Sequence, residues 1–162
     1  MPVRVAFFKS DCRDCGNMFP YPLLPDHETY GTFMAKGPDG RTFAYLCSLI
    51  GPGQVGWDEV ASIFGKIAAE KNLILDEERD DLQRLVGKCL DSVNGHELSI
   101  TEGPRCPECG SNNINYGDGE LIDSKEIPEA SFEQFLSLNP QDRERRIRHL
   151  LKEGTGKPDA PG

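Results

Sequence analysis

Cys12-Arg13-Asp14-Cys15-Gly16 and Cys106-Pro107-Glu108-Cys109-Gly110 carry the same short pattern, C-x-x-C closed by glycine, near opposite ends of a 162-residue chain. Two residues between cysteines let one tight turn aim both sulfurs at a common point. The glycine that follows can take the positive φ such a turn demands, and backbone N–H groups then face the thiolates. Pro107 stiffens the second turn. Cys12, Cys15, Cys106 and Cys109 together supply the full ligand set of one tetrahedral ion, read here as Zn²⁺ with iron as the alternative. Ligation of that kind contributes on the order of 10–16 kcal/mol, against a total stability of about 5–15 kcal/mol for a small domain.

Between the knuckles the chain reads as mixed α and β. Val3, Val5 and Phe7 alternate with other residues as a strand entering the first knuckle. Phe19-Pro20-Tyr21-Pro22, followed by Pro25, is extended and cannot be helix. Tyr30 to Lys36 and Arg41 to Ile50 form a predicted hairpin about Gly37-Pro38-Asp39-Gly40. Gly51-Pro52-Gly53 is expected to break the strand. A helix over Trp57 to Lys71 then carries Val60, Ile63, Phe64, Ile67 and Ala68 at helical spacing. A second helix is expected from Asp76 to Val93, ended by Asn94-Gly95. Glu97 to Thr101 is a predicted strand, and Ile114–Tyr116 with Glu120–Ile122 a predicted hairpin through Gly117-Asp118-Gly119. Ser131 is expected to cap a short helix with Phe132, Phe135 and Leu136. Asn139-Pro140 opens a last helix to about Lys152 on a thin apolar face of Ile147, Leu150 and Leu151. The Gly/Pro tail, 154–162, is expected to be disordered.

Strand-flanked C-x-x-C-G and C-P-x-C-G resemble the zinc-ribbon superfamily and, in motif alone, rubredoxin. The resemblance covers about residues 8–21 and 103–117 and implies Cys12, Cys15, Cys106 and Cys109 as the ligands. The spacer departs from a simple ribbon, with 106 − 15 − 1 = 90 residues between Cys15 and Cys106. The fold implied is α+β. A zinc ribbon (1–25 with 97–123) built from N- and C-terminal knuckles carries an inserted β-hairpin and two helices (26–96), plus C-terminal helices (131–153), all in one domain over 1–153.

Charge narrows the partners. The net charge is −9, and only residues 141–162 lean basic, with six bases to four acids. A phosphate backbone is bound mainly through Lys and Arg, which disfavours nucleic acid as the main partner and favours a protein. No stretch approaches the roughly 20 apolar residues of a membrane span. Met1 to Phe8 is too short for a signal-peptide core, so a cytoplasmic location with reduced thiols is expected.

Nothing else in the chain names a reaction or a substrate. Gly51-Pro52-Gly53-Gln54-Val55-Gly56 matches the G-x-G-x-x-G nucleotide fingerprint in letters, with Asp76 twenty residues beyond. Pro52 removes a donor from that loop, and too few residues follow for a doubly wound sheet. His96-Glu97 lacks the second histidine of a zinc-protease motif, and Asp26-His27-Glu28 reads as a solvated cluster. Cys47 and Cys89 read as buried small hydrophobes, and Trp57 as core. Arg145, Arg148 and Lys152 share one face of the last helix, a solvated face beside its C-terminus. The function expected is therefore non-catalytic recognition of another macromolecule, a protein first, as an immunity-type inhibitor or accessory subunit. Two alternatives stand beside it: rubredoxin-like electron transfer through Fe(Cys)₄, with Phe8, Phe19, Tyr21 and Tyr116 as nearby aromatics, and a nucleotide-binding enzyme using the 51–56 glycine loop.

Overall fold

Strand β1, Val3–Cys12, is the spine of the molecule and has neighbours on both sides. The computed structural model describes residues 2–23, 32–49, 51–75, 81–100, 104–117 and 119–155. Tyr30, Ile50, Asp26-His27-Glu28, Asp76 and the tail from 156 lie outside the described residues. On one side β1 pairs antiparallel with β2, Met18–Leu23, in register Phe7–Pro22 and Lys9–Pro20. Proline has no N–H, so Pro20 and Pro22 are tolerated because β2 is an edge strand whose alternate N–H positions face outward. Phe7 and Lys9 consequently turn their own backbone groups to the other side of β1, where Lys9 N donates to Glu120 O at 2.9 Å.

A separate antiparallel pair, β3 (Thr32–Lys36) and β4 (Phe43–Cys47), is the hairpin read from the sequence. Its turn is held by Asp39, whose carboxylate accepts from Thr42 Oγ1 at 2.8 Å and from the amides of Thr42 (3.0 Å) and Arg41 (3.2 Å). Burial works to raise the Asp39 pKa, but these bonds and nearby His96 outweigh it and hold the carboxyl below its ordinary value. A depressed carboxylate stabilises the fold above its unfolded pKa and loses that contribution as pH falls through the folded value. Asp39→Asn is therefore expected to be less stable at neutral pH, with a shallower loss below about pH 4, read from denaturant midpoints across that range.

Helix α1 spans Gly51–Glu70, so it starts six residues before the expected Trp57. Gly51-Pro52-Gly53 is its first turn, where proline's fixed φ and missing N–H do no harm. The glycines allow close packing. A Cβ on Gly53 would lie 2.3 Å from the Cys47 carbonyl oxygen, and one on Gly56 would lie 2.7 Å from Phe132 Cδ2. The expected glycine loop at 51–56 is thus helix packed on β4 and on Phe132, with no phosphate-cradling loop there. Trp57 is partly buried and stacks on Phe33 with ring centroids 5.0 Å apart.

Helix α2, Asp81–Gly87, ends six residues before the expected Val93, and residues 76–80 lie outside the described residues. It stops at Gly87, whose Cβ position is crowded by Ile100 at 3.0–3.2 Å, and Leu90 and Val93 lie beyond it. Asn94-Gly95 does not cap that helix. At φ 51° and 80° the two residues form a tight turn that pairs Val93 with His96, as Asn-Gly does in type I′ hairpins. The expected strand 97–101 reduces to one bridge, Lys36–Ser99, with Leu98 and Ile100 buried; residue 101 lies outside the described residues. Cys89 is buried, and burial pushes its thiol up to about 12.

The expected hairpin 114–122 does not form either. β5 (Ile114–Asn115) and β6 (Leu121–Ile127) both pair with β1, lying end to end along its free side, and β6 runs five residues past the expected Ile122. A register shift between Phe7 and Phe8 interrupts the β1–β6 ladder. Near that irregularity the buried face of β1 changes, from the side of Val5 and Phe7 to the opposite side of Ser10 and Cys12.

Two helices close the chain, α3 (Glu133–Ser137) and α4 (Pro140–Thr155). Ser131 does not cap α3. Asp91 does, accepting from the amides of Glu133 (3.1 Å) and Gln134 (2.9 Å) and from the Ser131 hydroxyl. Asp91→Ala is expected to cost about 1–2 kcal/mol, the usual worth of a strong helix cap, seen as a lower urea midpoint at unchanged slope. Asn139 caps α4 as its sequence implies, Oδ1 accepting from Asp142 N at 2.8 Å. Ile147 and Leu151 are fully buried, in one cluster with Val60, Phe64 and Ile67 of α1 and Leu85 and Val86 of α2.

The basic residues of α4 largely face partners. Arg148 pairs with Glu70 (2.9 Å), Arg143 with Glu59 (3.5 Å), and Lys66 of α1 with Glu144 (3.4 Å). Each such exposed pair contributes only about 0–1 kcal/mol, so buried apolar area dominates the docking of α4 on α1. Among the described residues no helix is long and apolar enough to cross a membrane.

Candidate metal centre

Cys12 is the last residue of β1, and Cys15 follows on the turn into β2. Cys106 and Cys109 lie on the turn before β5. Because β5 pairs with β1 through Cys12–Ile114 and Asp11–Asn115, strand pairing lays the second turn against the first. The Sγ atoms of Cys12, Cys15, Cys106 and Cys109 all lie within 4.8 Å of one another. Cys12 Sγ is 3.5 Å from Cys109 Sγ, and Cys15 Sγ is 3.6 Å from Cys106 Sγ. Sulfurs on a tetrahedron about 2.3 Å from zinc would be separated by about 3.8 Å. The spacing fits a shared ion. All four cysteines are free thiols.

The two knuckles are hydrogen-bonded alike. Gly16 N donates to Cys12 O (2.8 Å) and Cys12 N to Asn17 O (2.9 Å); Gly110 N donates to Cys106 O (2.9 Å) and Cys106 N to Ser111 O (2.8 Å). Gly16 and Gly110 take φ of 77° and 74°, the left-handed region that closes each turn. Side chains then strap one knuckle to the other. Asp14 accepts from the Ser111 hydroxyl and from Asn113 Nδ2 (3.0 Å), Arg13 N donates to Asn113 O (2.9 Å), and Asn115 Nδ2 reaches Asp11 at 3.1 Å. Sequence reasoning missed Asp14, Ser111 and Asn113. Such residues are ordinary in turns, and only the fold shows them facing each other across 97 and 99 positions.

Electrostatics divide the four sulfurs into two pairs. The Cys15 amide, followed by that of Asp14, outweighs burial and lowers the Cys12 pKa. Burial opposes ionisation of Cys106, but the amides of Cys109 and Glu108 prevail and bring it to about 6. Cys15 receives the Asn17 amide, yet desolvation and the adjacent sulfurs push it up to about 12. Cys109 is likewise raised, by Cys12 and by burial, against the Ser111 amide. Four negative sulfurs this close repel one another, and a divalent cation is what would let all four ionise.

Cys12 and Cys106 are 1% and 2% exposed, and they pack with Phe19, Ile114 and Tyr21 in a small cluster of their own. Cys15 and Cys109 are solvent-exposed, so the centre sits at the surface. Of the aromatics considered for electron transfer, Phe19 and Tyr21 adjoin the sulfurs, whereas Phe8 and Tyr116 are not in this cluster. The β3–β4 turn buttresses the second knuckle, with Gly40 against Pro107 and Arg41 paired to Glu108 at 3.0 Å.

No protein-family model, curated protein or solved structure matches this chain.

Elsewhere the chemical signals dissolve into structure. His96 lies 3.5 Å from Asp39, Cys47 is half-buried, and neither belongs to a cluster that could hold a metal among the described residues. Four protein donors around one point are enough to complete the coordination of a tetrahedral ion.

Proposed function

We propose that this chain is a Zn²⁺-binding, non-catalytic protein that recognises another macromolecule, a protein in the first place. Cys12, Cys15, Cys106 and Cys109 are its ligands and the ion is the clasp of a zinc ribbon carrying the inserted hairpin and helices. The observation that carries the metal part is the convergence of four sulfurs within 4.8 Å from turns 90 residues apart. Thiolates in a tetrahedral set suit zinc, and a centre saturated by protein donors supplies shape rather than reactivity. The recognition part is supported by the net charge of −9, which suits a basic or mixed protein surface better than a phosphate backbone. An immunity-type inhibitor or an accessory subunit fits this reading.

Elemental analysis of tag-free protein tests the metal. One equivalent of zinc in colourless protein supports the reading. Red protein holding one iron, bleached by reductant, would replace it with rubredoxin-like electron transfer. Absence of any bound metal overturns both. Capture of a stoichiometric protein partner from native cells, kept at moderate salt, tests the recognition half.

A further inference from the structure

The two edges of the β1 sheet are treated differently. On β2 the prolines Pro20 and Pro22 remove donors from the outer edge, a common defence against strand addition. The β6 edge contains no proline, and every residue from Leu121 to Glu126 is exposed, Leu121 at 59% and Ile122 at 51%. The outward groups of β6 follow from register. Because Phe7 and Lys9 direct their backbone toward β6, Asp123, opposite Phe7, and Lys125, opposite Val5, bond to β1. Ser124 and Glu126 alternate with them and turn N–H and C=O to the open edge. Local side chains occupy the Ser124 groups for now. Its N–H donates to Asp123 Oδ1 at 2.7 Å, and its carbonyl accepts from Arg4 Nη1 at 3.3 Å.

We propose that two copies of this chain join through β6, antiparallel about Ser124, extending the sheet across a two-fold axis. The sequence Asp123-Ser124-Lys125 is self-complementary in that register, on the regular stretch of β6 between the irregularity at Ile122 and Pro128, whose carbonyl accepts from Tyr45 N of β4. Ser124 faces Ser124 of the second copy as a hydrogen-bonded pair. Asp123 faces Lys125 of the second copy, twice by symmetry, in the closer non-hydrogen-bonded positions. A shift of one residue would set Asp123 against Ser124 and lose both ion pairs, so charge fixes the register. Lys125, now over the Phe7 ring at 4.4 Å, lies on the same face as Asp123 and can reach across the new seam. The pairing is independent of the metal reading.

Sedimentation velocity of the full metal-loaded chain over a wide concentration range tests this. A concentration-dependent dimer is expected. Ser124→Pro removes an outward N–H, as Pro20 and Pro22 do on β2, and should leave a monomer with unchanged circular dichroism and melting temperature. Lys125→Asp sets carboxylates opposite each other and should weaken the dimer about tenfold or more. The exchange Asp123→Lys with Lys125→Asp should restore it. A monomer at every concentration overturns the proposal, as does a dimer indifferent to Lys125→Asp. Failure of the exchanged pair to recover the dimer overturns the register about Ser124.

Discussion

Stripping the metal from Cys12, Cys15, Cys106 and Cys109 with a strong chelator is expected to lower the melting temperature by about 20 °C or more. Ligation on the order of 10–16 kcal/mol, at roughly 2–4 °C per kcal/mol for a chain of this size, sets that scale. The part that should give way first is the sulfur end of the sheet. Among the described residues its private core is Cys12, Phe19, Cys106 and Ile114 with Tyr21 beside them, and β5 contributes just two residues to the ladder. The straps from Asp14 to Ser111 and Asn113 are exposed and cannot replace the ion. Amide exchange should therefore accelerate through 8–23 and 104–117, while α1 and α4, packed around Phe64, Ile67, Ile147 and Leu151, remain protected. Cys106→Ser should reproduce the effect of the chelator, whereas Cys47→Ser should keep full metal content. A calorimetric trace unmoved by complete metal removal would show that the clasp contributes nothing to holding the fold.

The second large effect is at Gly53. Gly53→Ala is expected to cost about 3 kcal/mol, the upper end for overpacking. The added methyl would stand 2.3 Å from the Cys47 carbonyl oxygen and 3.3 Å from its carbon, backbone that cannot rotate aside, with Leu46 Cδ1 also at 3.3 Å. Gly65→Ala, in the same helix with nothing within 4 Å of the new Cβ, should instead stabilise by about 1 kcal/mol. Equilibrium urea unfolding of the pair separates the two cases. Equal, small effects would mean that α1 does not press on β4 as described. The same experiment bears on the nucleotide fingerprint, because a glycine kept for helix packing is sensitive to a methyl group whether or not any phosphate is present.

The elements legible in the sequence were those whose cause is local. The knuckles declare themselves because ligand spacing and the closing glycine lie within five residues. Asn139-Pro140 announces α4 because cap and first turn are adjacent in the chain. The β3–β4 hairpin carries its own turn chemistry in Asp39. What escaped was decided at a distance. Gly51-Pro52-Gly53 reads as a breaker until the end of β4 is seen to require bare backbone at Gly53 of α1. Asn94-Gly95 suits a helix end and a tight turn equally well, and the early stop of α2 against Ile100 chooses the turn. Asp91 caps a helix some forty residues away, which no local window contains. Ile114–Tyr116 and Glu120–Ile122 look like partners of each other, yet both pair with β1 instead, β6 along a ladder that extends to Ile127. At the metal centre the four donors could be named in advance. The hydrogen bonds that bring the two turns face to face could not.

The separation of the paired turns has a consequence for synthesis. Ninety residues divide Cys15 from Cys106, and at about 5–20 residues per second the ribosome needs roughly 5 to 20 s to deliver the second half of the ligand set. Throughout that interval the nascent chain presents Cys12 and Cys15 as a bare dithiol, open to oxidation or to capture by another molecule's metal. The hairpin and α1 emerge within the same window, so the segment that must fold before closure is also the one that brings the late sulfurs home.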